Sequence, residues 1–305
     1  MSGCWVPDST VLHEMLGSGV CALSGSYHRH MTRSALTATP VERDVVIAEG
    51  PDARSYLQTQ LTQDVERLGI GESAWSFILD AKSSIEALVR VTRTEAERVV
   101  LDVEPGLGDG VRQRLDGLLF RTEVSFSQAT WPGVSWRGDG AHQVASEAPI
   151  AAAMPWKDVD GLDIVGPTVV LPDGADALDS EGFEDLRIEA GWPAMGTEIT
   201  EGTTPAMTGI VDETVSFEKG CYTGQELVAR VYHRGADPVS SLVRVAGVGS
   251  VGFTVGDEMS VDGASVGSIT SVSSTGVKAL GFVKRGTAVP GTVEVPSGSA
   301  DISQP

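Results

Sequence analysis

The chain is short of cysteine, of cations and of long apolar runs. Its 305 residues include three cysteines, Cys4, Cys21 and Cys221, with no CxxC pair and no metal-ligand spacing, which excludes a disulfide scaffold and predicts a reducing, cytoplasmic setting. Twenty-two Lys and Arg stand against 42 Asp and Glu, a formal net charge of −20, so the molecule as a whole repels nucleic acid and anionic lipid. Neither is expected as a direct partner, and an anionic ligand must meet a local basic pocket. No stretch approaches the ~18 apolar residues that span a bilayer. The five histidines are scattered, so no metal site is expected, and neither GxGxxG nor GxxxxGK[ST] occurs. Acidic Asp8 and Glu14 stand where a signal peptide would be basic, which argues against one. Met31 competes with Met1 as the translational start, so 1–40 reads as a disordered tail or a misassigned start.

The rest reads as mixed α+β. A strand at Asp44–Ala48 ends at Gly50-Pro51, and Pro51 suits the first turn of a helix whose Ala53, Leu57, Leu61 and Val65 make one apolar stripe. Trp75–Leu79, Ile85–Val91 and Arg98–Val103 read as an antiparallel meander. A second helix carries Val111, Leu115, Leu118 and Leu119, and Arg121–Phe126 returns as a strand. From Trp131 to Pro172 the chain reads as strands joined by long loops, and a helix resumes at Ser180 and stops at Gly191-Trp192-Pro193. Beyond Ser240, short Val-rich segments spaced by Gly, Asp and Ser suit a small β-barrel over 240–295, with 296–305 as a tail.

Chemistry concentrates in Val215–Gly235. Val215–Phe217 reads as strand, Gly220 permits a sharp turn, and Thr223 with Glu226 forms a capping box that starts a helix with Leu227 and Val231 as its buried stripe. Cys221 then lies just before a helix N-terminus beside Lys219, a setting that favours an anion and predicts a reactive thiol. The same place could hold a ligand carboxylate against Lys219, Arg230 and Arg234, with Tyr222 as a stacking surface. It also reads as an ordinary capped helix beside a small buried cysteine. Glu189, a helix glutamate near Arg187, is either a surface residue or a pocket acid. Cys221 with His233 could serve a thiol hydrolase, but no local signature supports it.

Lys219-Gly-Cys-Tyr-Thr-Gly-Gln-Glu226 followed by Val228-Ala-Arg230 resembles the K-G-C-Y-x-G-Q-E signature of the YgfZ-type folate-binding proteins, relatives of the glycine-cleavage aminomethyltransferase, or T-protein. Arg187-Ile-Glu-Ala-Gly191 and Gly50-Pro-Asp-Ala-Arg54 with Gln60-Leu-Thr-Gln63 resemble two further helices of that superfamily. The resemblance implies a T-protein-like α+β domain over 41–239, with antiparallel sheets and helices around a central channel, followed by a C-terminal β-barrel. It implies a cytoplasmic protein that binds tetrahydrofolate or a derivative and supports iron–sulfur client enzymes, tRNA modification included. Carried over, Glu189 would face the pterin and Arg187 order its helix. Lys219, Gly220, Tyr222, Gly224, Gln225, Glu226 and Arg230 would line the same pocket, with Cys221 as the reactive thiol.

Two departures stand out. Related transferases carry an acidic pair where this chain has Ile85-Glu86-Ala87, and many relatives carry Pro-x-Glu where it has Pro205-Ala206-Met207, with Glu201 or Glu213 as stand-ins. Three readings follow: a folate-binding accessory factor for iron–sulfur proteins, a folate-dependent aminomethyl or one-carbon transferase, and a non-catalytic interaction scaffold.

Overall fold

The computed structural model describes residues 35–305 apart from Ala236, so the readings placed on Cys4, Cys21 and Met31 lie outside the described residues, as does the side chain of Arg234. The β-branched run Val45-Val46-Ile47 centres a strand, β1 (Thr37–Glu49), longer than the predicted Asp44–Ala48. A helix, α1 (Ala53–Gln60), follows, and then the predicted meander β2 (Ser73–Leu79), β3 (Ile85–Glu95) and β4 (Arg98–Val103). After α2 (Gly108–Asp116) comes β5 (Ser125–Arg137), which runs through Trp131 into the stretch read as strands joined by long loops. Strands β6 (Ile150–Ala153) and β7 (Gly161–Val165) complete one antiparallel sheet in the order β2-β3-β4-β1-β5-β7-β6.

Because side chains alternate along a strand, the sheet has two distinct faces. On one, Val46, Val89, Val91, Val99 and Leu101 pack beneath α1 and α2. The predicted stripe of Ala53, Leu57, Leu61 and Val65 is wholly buried there, although the helix itself ends at Gln60. On the other face Trp75, Phe77, Leu79 and Leu88 meet Trp156, Trp192 and Ile199. Those partners come partly from the chain around α3 (Ser180–Ala190), whose Asp179 cap accepts the Gly182 N–H at 2.8 Å and which Gly191 ends at φ +78°. Val215–Phe217 forms no strand. A short helix, α4 (Val211–Thr214), precedes it, and α5 (Gln225–Arg234) follows.

The Val-rich remainder forms β8 (Ser240–Gly247), β9 (Glu258–Val261), β10 (Ala264–Val272), β11 (Lys278–Lys284), β12 (Gly291–Val295) and β13 (Gly298–Ser303). These close into a barrel in the order β10-β11-β8-β13-β12-β9, filled by Val243, Met259, Ile269 and Ile302. Residues 298–303, read as tail, are a barrel strand because Ala300 and Ile302 alternate inward between β8 and β12. Glu198, 1% exposed, ties the barrel to α3: it accepts from Ser271 Oγ at 2.6 Å and Thr270 Oγ1 at 2.8 Å while Arg187 Nη1 donates to it at 3.0 Å.

Opposite the helices, the sheet carries a stripe of charge. Arg90, 1% exposed, grips Asp102 with Nε at 2.9 Å and Nη2 at 3.0 Å, and reaches Asp163 with Nη1 at 2.8 Å. Arg137 Nη1 holds the other Asp163 oxygen at 2.8 Å, and Arg43 Nε reaches Asp102 at 3.0 Å. Burial alone would raise the Asp163 carboxyl, but Arg137 and Arg90 hold it well below the usual carboxylate range. Removing one partner from such a group leaves buried charge uncompensated, so Asp163→Ala is expected to cost about 3–5 kcal/mol in urea unfolding. Since the folded-state value is depressed, this stability is present above the unfolded carboxyl value of about 4 and is lost as pH falls below it. An Asp163→Ala protein within about 1 kcal/mol of the parent, with the same acid limb, would show that the network contributes little.

Candidate functional site

The charged stripe forms the floor of a partly open cavity of about 340 Å³ bounded by the sheet, α3 and the segment that follows it. That is within the ~300–1,000 Å³ of small-molecule sites. Its walls are aromatic: Trp75 meets Trp192 edge-on with ring centres 5.3 Å apart, and the Arg137 guanidinium lies 4.3 Å over Trp156 and 5.1 Å from Phe183. Among the described residues, five buried side-chain N–H groups lack a hydrogen-bond partner, and three of them, Trp75 Nε1, Trp156 Nε1 and Arg137 Nε, belong to this lining. Glu104, at the end of β4, also borders a second hollow with Glu86 and Glu201. Burial raises its carboxyl above the ordinary value, against the pull of Arg43, the Met195 N–H and Arg187.

Of the predicted site residues, Arg187 lies on this cavity. Phe183, Glu184 and Arg187 share the inward face of α3, and Arg187 is fixed by Glu184, Glu198 and Ser271 Oγ. Glu189 does not face the cavity. Two residues beyond Arg187 is about 200° around a helix, which turns its carboxylate toward the barrel, where it pairs with Lys278 and is 52% exposed.

The Lys219–Glu226 segment also lies outside the cavity lining. Lys219 is buried beneath the end of α1, and its Nζ donates to the carbonyls of Gln58, Leu61 and Gln63 at 2.7, 2.6 and 2.8 Å. An ammonium has three donors, and all are committed to carbonyls that the helix end leaves open. Burial pushes this ammonium down to about 8 against the pull of Asp64 and Glu66, and pushes the Tyr222 phenol, buried below it, up to about 12.

The capping box does not form. Gly224 is the N-cap of α5, in the left-handed region at φ +78°, and a Cβ there would meet Asp80 O at 2.6 Å. Glu226 instead pairs with Arg230 on the solvent side. Gln225 opens α5 partly buried, Gly220 is exposed, and the buried position of that helix is Val228 rather than Leu227. Cys221, free and exposed, is thereby held at the surface of a loop pinned to α1.

No family model matches the chain. It is 26% identical over 257 residues to the tRNA-modifying protein YgfZ of Yersinia enterocolitica, which covers 75% of this chain and 77% of that protein. It is 25% identical over 222 residues to an aminomethyltransferase of Rubrobacter xylanophilus, covering 62% and 59%. In fold it matches the glycine cleavage system aminomethyltransferase T of Bartonella henselae at a TM-score of 0.72 and 20% identity, over 90% of this chain and 86% of that one. The chain is thus similar in sequence to YgfZ-type proteins and to an aminomethyltransferase, and it shares the fold of aminomethyltransferase T.

Apart from Arg187, reasoning from the sequence missed the residues that line the cavity. A trace was present: Arg90, Asp102 and Asp163 are each flanked on both sides by apolar residues within a strand, a pattern that requires a buried partner. Trp75, Trp156 and Trp192 have no comparable spacing. Glu201 borders the second hollow and Glu213 a separate one, so neither lines the main cavity. Since Lys219 supports the fold, Lys219→Ala is expected to cost about 2–4 kcal/mol through three carbonyls left without a donor, read as a lowered thermal midpoint. An unchanged midpoint would show that water replaces the ammonium without loss.

Proposed function

We propose that this chain binds a reduced folate in the cavity behind Trp75 and Trp156 and acts as an accessory factor for iron–sulfur enzymes, including those that modify tRNA, with Cys221 as the thiol offered to partners. The observation that carries the folate part is the cavity's unmet chemistry: flat aromatic walls, three unpartnered donors and a carboxylate without an ion-pair partner match a pterin, which carries both N–H groups and acceptor atoms. The overall acidity is no obstacle, because Arg43, Arg90, Arg137 and Arg187 all line the cavity. The tRNA-modifying relatives and the surface position of Cys221 support the accessory role. Aminomethyl transfer is the less favoured reading: Glu86, the single acid where transferases carry a pair, is held by Arg114 Nε at 2.7 Å.

Calorimetric titration with tetrahydrofolate in reducing buffer tests the binding. Saturable binding is expected, weakened at least tenfold by Trp156→Ala, which removes a wall, and unchanged by Glu189→Ala, whose carboxylate faces Lys278. A parent protein that binds no folate would end this reading.

A further inference from the structure

The cavity presents two chemically opposed sets of groups, buried donors without a partner and a half-buried carboxylate without a cation. One is the trio of donors, Trp75 Nε1, Trp156 Nε1 and Arg137 Nε, on residues 8, 7 and 2% exposed. Native interiors leave few such groups, and three gathered in one lining indicate acceptors supplied by a bound molecule. The other is the Glu104 carboxylate. Among the described residues its one hydrogen bond is a long one from the Met195 N–H at 3.4 Å, and no cation lies within ion-pair distance of it. The remaining acids of the lining are otherwise placed: Asp163 is held by Arg90 and Arg137, Glu184 by Arg187, and Glu42 is exposed.

We propose that Glu104 receives the N–H edge of the bound heterocycle while Trp75, Trp156 and Arg137 supply its carbonyl edge, so that this cavity selects a 2-amino-4-oxo ring over a 4-amino one. The inference rests on the folate reading and deepens it: the acid that meets the ring is Glu104, in the part that the sequence motif assigns to Glu189. A carboxylate accepts the paired N–H groups of an amidine edge with both oxygens; a 4-amino ring loses one of those N–H groups and turns its own N–H groups toward the indole and guanidinium donors in place of the carbonyl they would pair with. The charged groups facing Glu104 are Arg43 from β1 and Arg187 and Glu184 from α3, with Glu86 and Glu201 across the second hollow. Burial raises the empty-site carboxyl, and N–H donors favour its ionised form, so binding should release protons and weaken as pH falls.

The test is calorimetry on the full chain. Tetrahydrofolate is titrated into the parent, Glu104→Gln, Trp156→Phe and Glu189→Gln proteins, and folic acid is compared with its 4-amino analogue, which differs at that position alone. Expected are a loss of tenfold or more for Glu104→Gln, no change for Glu189→Gln, and preference for the 4-oxo form that narrows in Trp156→Phe. The parent's affinity should fall toward acid with proton release that varies with buffer, and Glu104→Gln should flatten that dependence. Parent binding with an unaltered Glu104→Gln protein, or equal affinity for the two analogues, overturns this assignment while leaving the folate reading intact. A parent that binds neither overturns both. If Glu104→Gln does not fold, the parent's pH dependence decides: affinity flat in pH overturns the role of Glu104.

Discussion

Everything in the main domain is arranged around the arginine–aspartate group buried on one face of the sheet. Arg90 alone makes three short contacts with two carboxylates from strands β4 and β7, and Arg43 and Arg137 bring in β1 and β5. Five of the seven strands thus meet at one set of charges. Buried ion pairs seldom gain net stability over apolar packing, since desolvation offsets much of the attraction. What they do enforce is register, because a strand shifted by one residue would turn its charge into the opposite, largely apolar face. The cost of that specificity is a polar floor that apolar side chains cannot cover, and a cavity stands over it.

Helix α3 turns the same economy of contacts into a joint. Its inward face gives Phe183, Glu184 and Arg187 to the cavity, while Ile188 packs on Leu242 and Leu280 of the barrel and Glu189 pairs with Lys278. Arg187 belongs to both sides, bonded to Glu184 at the cavity and to Glu198 and Ser271 at the barrel. A helix that must satisfy two neighbours cannot present every polar residue of its motif to a ligand. The arginine of Arg187-Ile-Glu-Ala-Gly191 therefore reaches the site and the glutamate does not.

The elements were legible in the sequence wherever periodicity carried them. Ala53, Leu57, Leu61 and Val65 form the buried stripe, the meander is antiparallel as its alternation predicts, and the Val-rich segments close a barrel. The site was legible only as a motif. Lys219-Gly-Cys-Tyr-Thr-Gly-Gln-Glu226 marks a real constraint, but local spacing cannot distinguish a lysine that binds a ligand from one that closes the end of a helix 158 residues away at Leu61. The cavity itself joins residues as far apart as Arg43 and Trp192, and no local pattern could have assembled them.

The thiol and the cavity are distinct places, yet they share a wall. Strand β2 sends Trp75 into the cavity and ends at Leu79, whose side chain and following carbonyl at Asp80 leave room at Gly224 for a glycine alone. Tyr222 and Val228, on either side of that glycine, join the same core as Trp75 and Trp192. Close-packed interiors transmit displacement poorly except as a change from one packing to another. A side chain at position 224 would push on β2 and the Lys219 anchor together, so the loop that exposes Cys221 can hold its shape only while the Trp75 wall holds its own. The motif fastens a surface loop to the core beside the cavity and lies outside the cavity lining.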